Sequence, residues 1–145
     1  MVLDIELCKS LLCFLENNFI MYILKTFFTS IRLLQSLLRH SIYACGTMRK
    51  NRKGFPEDIK YPPYMEQGDH VIRQDGSLTD TLWKDKKPVI VLSTVTDPTI
   101  IDIANRKQKD RTVRQVNHPR PVTNYQLYYQ GVDLCDQLRA KYPVG

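Results

Sequence analysis

Cysteine and histidine are scarce in this 145-residue chain, and they are scattered rather than paired. There are four cysteines and three histidines, and no two cysteines form a CxxC motif. Zinc sites usually need ligands brought together as close pairs, so the sequence argues against a zinc module. We interpret the cysteines instead as reduced thiols, buried or partly buried in an intracellular protein. The residues concerned are Cys8, Cys13, Cys45, Cys135, His40, His70 and His118.

A long uninterrupted hydrophobic run is also missing. The most apolar stretch, Leu11 to Leu24, is broken by polar residues at positions 16–18 and is followed by Lys25. A helix that spans a membrane needs about 18 or more nearly uninterrupted apolar residues. Asp4 and Glu6 precede the stretch, whereas a signal peptide begins with basic residues. We therefore expect neither a membrane partner nor a targeting segment, and a cytoplasmic or nuclear location.

Acidic residues are outnumbered by basic ones. Lysine and arginine total 21 against 15 acids, so the formal net charge is +6 and the isoelectric point is about 9.2. This balance favours an acidic partner such as nucleic acid, although it carries no information about the fold. The apolar fraction of 43% is ordinary for a soluble protein and is sufficient for one domain with a hydrophobic core.

The first third of the chain alternates helical and strand patterns. Leucines at positions 7, 11 and 15 predict an amphipathic helix, and FIMYIL predicts a strand buried on both faces. A second amphipathic pattern follows, with Thr26 or Thr29 as the candidate N-cap, and then a short strand. The predicted elements are a helix over Val2–Glu16, a strand over Phe19–Leu24, a helix over Thr29–Arg39 and a strand over Ser41–Thr47. Strand, helix and strand at this spacing form a βαβ unit, which implies a parallel or mixed sheet with a helix packed against it.

A compact basic cluster follows Met48. It consists of Arg49, Lys50, Arg52 and Lys53, and a stiff, proline-rich connector follows at Tyr61–Tyr64. Lysine and arginine beside phosphates gain affinity through counterion release and read no base sequence. We therefore regard this cluster as the leading candidate for DNA binding, with a solvated turn as the alternative.

The second half is predicted to be β-rich and then helical. From His70 to Thr94 the pattern indicates an antiparallel meander, with turns at Asp75–Gly76 and Asp85–Lys87. Residues 105–120 indicate a mobile basic loop with a short strand at TVRQV, and this loop is a second candidate for DNA binding. A helix is expected over Asn124–Lys141. The basic residues of the loop are Arg106, Lys107, Lys109, Arg111, Arg114 and Arg120, opposed only by Asp110.

Three aromatic residues suit either the core or a nucleic acid. Trp83, Tyr128 and Tyr129 have rings of the kind that stack on bases. Since they lie on apolar faces of predicted elements, core packing is the preferred interpretation.

Two pairs of segments carry a resemblance to a known family. FFTS is followed after a helix by IYACGTMRKNRKGFPEDIK, and WKDKKPVIVLST is followed by PRPVTNYQLYYQGVDLCDQL. Their order and spacing resemble the catalytic region of piggyBac-type transposases and of the host proteins derived from them, over nearly the whole chain. The resemblance implies an α/β fold with an incomplete RNase H-like (DDE/DDD transposase) core. It implies a partial core over residues 1–48, a basic, β-rich insertion over 49–122 and a returning helix of the core over 123–145, in a nuclear protein.

The resemblance also implies three aspartates that hold two magnesium ions, which activate a nucleophile and stabilise the leaving oxygen. The family's first aspartate lies on an upstream strand, which we expect this chain to lack. The second precedes the FFTS-type segment, where this chain has Lys25 and Thr26, so the charge is reversed and should repel magnesium. The third belongs to a GGVD motif and is retained as Asp133, with Gln130 in place of the first glycine.

These expectations favour a truncated, catalytically inactive piggyBac transposase-derived protein with weak, non-specific DNA binding. Asp133 is then a vestigial catalytic residue and weak metal ligand, and no cofactor is expected in this chain, although the family uses magnesium. Asp4, Glu16 and Asp136 are weaker candidates for substitute carboxylates.

Other interpretations stay open. One is a protein-interaction module that pairs, with a full-length relative or another protein, through an exposed sheet edge. Another is an active transposase or nuclease whose missing carboxylates are supplied otherwise. A third is a translated relic without a selected function.

Overall fold

The computed structural model describes residues 11–16, 19–24, 26, 29–50, 62, 64–94 and 99–142. Within these ranges the chain forms eight strands and two helices. In chain order they are β1 (Leu11–Glu16), β2 (Phe19–Leu24), α1 (Ile31–Arg39), β3 (Tyr43–Met48), β4 (His70–Asp75), β5 (Leu78–Lys84), β6 (Pro88–Ser93), β7 (Ile101–Lys107), β8 (Val113–Pro119) and α2 (Arg120–Lys141).

A mixed six-stranded sheet forms the centre of the fold, with the strand order β1-β2-β3-β6-β5-β4. β2 and β3 are parallel and are connected through α1, whereas the other neighbouring pairs are antiparallel. This arrangement confirms the predicted βαβ unit and the α/β class. Because β6 pairs with β3, the sheet joins strands from the first 48 residues to strands of the meander.

The predicted first helix is wrong over residues 11–16, while residues 2–10 lie outside the described part of the chain. Leu11–Glu16 is a strand that pairs antiparallel with β2, with Leu11 opposite Leu24 and Glu16 opposite Phe19. The leucine spacing fits a helix, but LLCFL is also a continuous apolar run of strand length. Only two residues separate it from β2, which is the length of a tight hairpin connection. Pairing with the confirmed strand β2 therefore prevails over the helical periodicity.

Helix α1 begins at residue 31 rather than 29. Ser30 is the N-cap, because its Oγ accepts a hydrogen bond from the Leu33 backbone N–H at 3.2 Å. Neither threonine predicted as a cap has this position, and Thr29 is instead fully buried. Leu34 and Leu37 are buried on the apolar face of the helix, as its pattern predicts. The helix thereby covers one face of the βαβ unit.

The predicted meander is confirmed as β4, β5 and β6. Gly76 has a φ of +58° in the first turn, a conformation that glycine adopts without a steric penalty. The second turn is closed by a hydrogen bond from the Asp85 N–H to the Lys87 carbonyl at 3.3 Å. β1 and β4 are the outermost strands of the sheet as the described residues form it.

The predicted mobile loop over residues 105–120 is wrong, although the short strand predicted at TVRQV is confirmed within β8. β7 and β8 form a two-stranded antiparallel ribbon, with Ile103 opposite Asn117. Asp110 stabilises the turn by accepting hydrogen bonds from the N–H and the hydroxyl of Thr112, at 3.0 and 2.6 Å. Exposed and half-buried residues alternate along β7, but polar and basic side chains occupy both sets, so hydropathy does not reveal the period of two.

Helix α2 begins at residue 120, four residues before its predicted start. It packs on the sheet face opposite to α1. The buried residues on the α2 side are Ile23, Cys45, Trp83, Val91, Val116, Val122 and Tyr125. Those on the α1 side are Leu24, Leu34, Leu37, Ala44, Met48, Leu78, Leu82, Ile90 and Leu92. Among the described residues, no helix has both the length and the apolarity that a membrane crossing requires.

Candidate nucleic-acid interface

The carboxyl ends of β2 and β3 lie at the same end of the sheet, because the two strands are parallel and Leu24 is opposite Gly46. Such strand ends are where α/β sheets commonly bind ligands. Thr26 and Thr47 meet there, with 2.6 Å between their hydroxyl oxygens. Thr47 also donates to the hydroxyl of Tyr125 at 3.3 Å, which brings α2 to the same point. Three neutral hydroxyl groups therefore surround the place where the chain leaves β2.

Gly46 allows this close approach of β3 to its neighbours. A Cβ atom at this position would collide with Thr29 Oγ1 and would lie 2.9 Å from the Cβ of Leu24. Both neighbours are fully buried and have no room to withdraw. The backbone of β3 therefore needs glycine immediately before Thr47.

An open cleft of about 1140 Å³ lies at this end of the sheet. Its basic residues are Arg49 and Lys50, which follow β3, and Lys84 at the end of β5. Glu66 and Asp69 are its two acids, and the Asp69 carboxylate already accepts a hydrogen bond from the Glu66 N–H at 2.8 Å. The cleft thus gathers cations from two separate parts of the sequence, and we call it the strand-end cleft.

Of the predicted DNA-binding residues, Arg49 and Lys50 are exposed in the strand-end cleft. Arg52 and Lys53 lie outside the described residues. Lys84 was not predicted, because nothing in its local sequence distinguishes it from the lysines of the following turn. The pairing of β5 with β6 and of β6 with β3 brings Lys84 to the same cleft as Arg49, and no local pattern encodes the long-range β3–β6 pairing.

Asp133 lies within α2, eight residues after Tyr125 and so about 12 Å farther along the helix axis. The structure describes its backbone only. Lys25 and Asp4 are outside the described residues, and the side chains of Glu16 and Asp136 are likewise not described. The predicted aspartate site and its substitutes therefore stay predictions.

Among the four cysteines, Cys45 is the one whose side chain the structure describes. Cys45 is fully buried and in no disulfide, and burial raises the pKa of its thiol to about 12. It therefore stays protonated and packs as a small apolar side chain. Among the described side chains, no group of three or more His, Cys, Asp or Glu residues could hold a metal ion.

Trp83 belongs to the core, as predicted. Its ring is fully buried, and its indole N–H donates to the Asn117 carbonyl at 2.7 Å. Tyr128 and Tyr129 pack against the same apolar cluster, and Tyr129 stacks on Tyr125 with 5.1 Å between ring centroids. The exposed aromatic residue beside the basic side chains is instead Tyr64, which lines the strand-end cleft with 92% of its surface accessible. Its position in the connector gave no signal of this exposure.

His118 joins the ribbon to α2. Its Nδ1 lies 2.7 Å from the Thr123 hydroxyl, and its Nε2 lies 3.1 Å from Gln126 Oε1. Burial lowers the pKa of His118, and the Arg106 charge lowers it further. The neutral imidazole protonated at Nε2 donates to Gln126, and the Thr123 hydroxyl beside Nδ1 also lies 3.3 Å from the Pro119 carbonyl. These contacts fix the end of β8 against the first turns of α2.

Comparison with known proteins places these features in a family. The family model described as Transposase IS4 matches residues 2–145. A cryo-EM structure of the piggyBac transposase synaptic complex with hairpin DNA is 28% identical in sequence and superposes with a TM-score of 0.61. The match covers 83% of this chain and 24% of the transposase chain, so this chain spans about a quarter of that protein's length.

Proposed function

Because the chain belongs to the piggyBac-type transposase family, we propose that it is a catalytically inactive member that binds DNA without sequence specificity. The strand-end cleft is the proposed binding site. The observation that carries the proposal is that Arg49, Lys50 and Lys84 line one open cleft at the carboxyl ends of the parallel strands.

The chemistry of this end of the sheet supports the absence of catalysis. Two-metal phosphodiester cleavage needs carboxylates that hold both ions. The residue directly after β2 is Lys25, an ammonium where the family pattern has an aspartate. The hydroxyl groups of Thr26, Thr47 and Tyr125 are neutral and do not replace a carboxylate as magnesium ligands. The residues present thus do not fit a magnesium pair, and Asp133 is proposed as a vestige of the site.

The charges of the cleft support DNA as the partner. Lysine and arginine attract phosphates through counterion release, and this term is independent of sequence. The similar solved structure is itself a complex with hairpin DNA. We accordingly propose that the phosphate backbone passes along Arg49, Lys50 and Lys84, with Arg52 and Lys53 as additional contacts, and that the protein acts in the nucleus.

The sheet supports a proposal about the finer fold. The parallel pair β2 and β3, the crossover α1 and the helix α2 on the opposite face suit part of an RNase H-like core. The proposed core comprises residues 1–48 and 123–145, and residues 49–122 are its insertion. In this arrangement the insertion shares the sheet of the core, because β6 pairs with β3.

Cleavage and binding of a labelled DNA duplex test the proposed function. The wild-type chain and Asp133→Ala are incubated with duplex and magnesium, and Gln137→Ala, at an exposed position of the same helix, serves as the control. We expect no cleavage by any of the three proteins. Magnesium-dependent cleavage that Asp133→Ala abolishes and Gln137→Ala retains would contradict inactivity.

Binding is measured in parallel by fluorescence anisotropy at low and high salt. Arg49→Gln/Lys50→Gln should bind the duplex more weakly at low salt and lose less affinity when salt is raised. Arg39→Gln/Lys141→Gln removes the same charge from exposed residues outside the cleft lining and is the control. Equal salt dependence in both double variants would contradict a binding site in the strand-end cleft.

A second candidate function is protein interaction through a sheet edge. The described residues place β1 and β4 at the two edges of the sheet, and the last three residues of β4 are exposed. An outermost strand offers unpaired backbone groups to a partner strand. Such pairing would change little with salt, so the same titration separates it from phosphate binding.

A further inference from the structure

The basic residues of the ribbon fall into two groups that the sequence does not distinguish. Three of the arginines form ion pairs: Arg106 with Asp85 at 3.5 Å, Arg114 with Glu66 at 4.0 Å and Arg120 with Asp102 at 2.8 Å. Arg120 is bidentate, so it holds the start of α2 to β7. Lys107 and Lys109 are exposed, and neither has an ion-pair partner within the described part of the chain. The two lysines, together with Arg111, which is exposed in the β7–β8 turn and in none of these ion pairs, are therefore the ribbon cations that remain available to a ligand.

These lysines face others across a second cleft, of about 790 Å³, between the β5–β6 turn and the β7–β8 turn. Lys84 and Lys86 lie on one side, and Lys107 and Lys109 lie on the other. We call this the lysine cleft. Its remaining lining is glutamine and aspartate, so no apolar side chain contributes to it.

A chain of polar contacts holds the two turns together. Gln108 donates to Gln67 Oε1 at 3.3 Å, and Gln67 donates to Asp85 Oδ1 at 2.9 Å. The guanidinium of Arg106 contacts the same Asp85 oxygen at 3.5 Å and lies 5.5 Å from the centre of the Trp83 ring. These contacts connect the lysine cleft to the buried core, so its walls are fixed before any ligand arrives.

The acids of the cleft do not cancel its lysines. Asp85 is already offset by Arg106. The Asp110 carboxylate stabilises the β7–β8 turn, where it accepts two hydrogen bonds from Thr112. Four lysines thus oppose two carboxylates, of which one is paired, and the cleft is positively charged at neutral pH.

We propose that the lysine cleft is a second phosphate-backbone site, which binds the same DNA molecule as the strand-end cleft. Lys84 lines both clefts, so the two adjoin at this side chain. Lysine interacts with phosphate as a point charge and reads no base, so the contact adds affinity rather than specificity. An acidic protein fits the cleft less well, because protein interfaces draw their energy from aromatic and arginine anchors and this lining has none.

This inference rests on the proposed function, and three double variants of the full chain separate the two. Lys107→Gln/Lys109→Gln removes both lysines from one side of the lysine cleft, and Arg49→Gln/Lys50→Gln removes two of the three basic side chains of the strand-end cleft, leaving Lys84. Arg39→Gln/Lys141→Gln is the control of equal charge. Each protein is first checked by circular dichroism, and its affinity for a fluorescein-labelled 20-base-pair duplex is then measured across a salt series.

Phosphate contact at both lysines should reduce the slope of log affinity against log salt by about 1.8. Between 50 and 200 mM salt the wild type should accordingly lose about twelvefold more affinity than Lys107→Gln/Lys109→Gln. The control variant should keep the wild-type slope. A reduced slope in both cleft variants would support one continuous track.

The remaining outcomes are distinguishable. If only Arg49→Gln/Lys50→Gln changes the slope, the lysine cleft is refuted and the proposed function stands. If only Lys107→Gln/Lys109→Gln changes it, the strand-end site is wrong and the lysine cleft stands. A polyglutamate peptide that requires these lysines for binding, while the duplex does not, would identify an acidic protein as the partner and overturn the proposal.

Discussion

Trp83 on β5 donates its indole N–H to the backbone carbonyl of Asn117 on β8, and the two atoms are 2.7 Å apart. This bond connects the six-stranded sheet to the ribbon. The His118 ring contacts the same indole in a T-shaped arrangement, with 4.6 Å between ring centroids. One tryptophan thereby positions the element that carries half of the lysine cleft.

Trp83→Phe should destabilise the protein by about 2 kcal/mol, because it leaves a space in the core and removes the partner of the Asn117 carbonyl. Urea denaturation followed by far-ultraviolet circular dichroism measures the effect, since the variant has no tryptophan fluorescence. Tyr64→Phe, a change on an exposed aromatic residue, is the control and should be neutral. A cost below about 0.5 kcal/mol for Trp83→Phe would show that the bond does not hold the ribbon.

Local patterns predicted the elements whose signals are local. The strand FIMYIL, the helix after it and the strand before Arg49 are confirmed, because length, periodicity and turn residues identify each alone. Leu11–Glu16 was mistaken for helix, since its leucine spacing is compatible with both states until β2 pairs with it. Hydrogen bonding between strands decided that ambiguity.

The candidate site was also only partly predictable, because contacts between residues distant in sequence bring some of its cations together. Arg49 and Lys50 are adjacent in sequence, so their cluster was visible. Lys84 joins them through the β3–β6 pairing, and Lys86 faces Lys107 through the Gln108–Gln67–Asp85 chain. Both contacts connect residues distant in sequence, and composition does not specify them.

Gly46→Ala should cost about 1–3 kcal/mol, because the added methyl group meets buried atoms of Thr29 and Leu24. Thr29→Ala removes the closer of the two obstacles, so the double variant should be more stable than the sum of the single effects predicts. Thermal melts of the two single variants and the double variant measure this coupling. Gly76→Asn should be tolerated, because a Cβ atom added at this turn position would have no contact within 4 Å. Additive effects at positions 29 and 46 would argue against the contact.

Asp80→Asn should stabilise the protein at neutral pH. Asp80 lies among buried leucines on β5, and its Oδ1 is buried without a hydrogen-bond partner among the described residues. Burial raises the pKa of Asp80, and the charge of Arg73 on the neighbouring strand lowers it in part. The pKa of Asp80 in the folded protein therefore exceeds its value of about 4 in the unfolded chain. The contribution of this group to the stability of the fold is complete below about pH 4 and is lost as the pH rises through the folded pKa.

The difference in urea midpoint between Asp80→Asn and the wild type should therefore be small at pH 4 and larger at pH 7. Asp75→Asn changes an exposed carboxylate on the adjacent strand and serves as the control. A wild type that is more stable than Asp80→Asn at pH 7 would indicate that the Arg73 charge outweighs burial.

Lys25→Asp should create magnesium affinity that the wild-type chain lacks. The substitution restores a carboxylate directly after β2, at the strand end where β3 and Tyr125 of α2 also meet. At a concentration ten times its Kd, magnesium would stabilise the variant by about 1.4 kcal/mol, which corresponds to a rise in Tm of about 3–6 °C. Thermal melts with and without magnesium measure the effect independently of any DNA cleavage. Adding Asp133→Ala to the variant tests whether Asp133 is the second ligand, and Gln137→Ala, at an exposed position of the same helix, is the control. A magnesium-dependent rise already present in the wild type would mean that Lys25 does not disable the site, and the proposed inactivity would have to be abandoned.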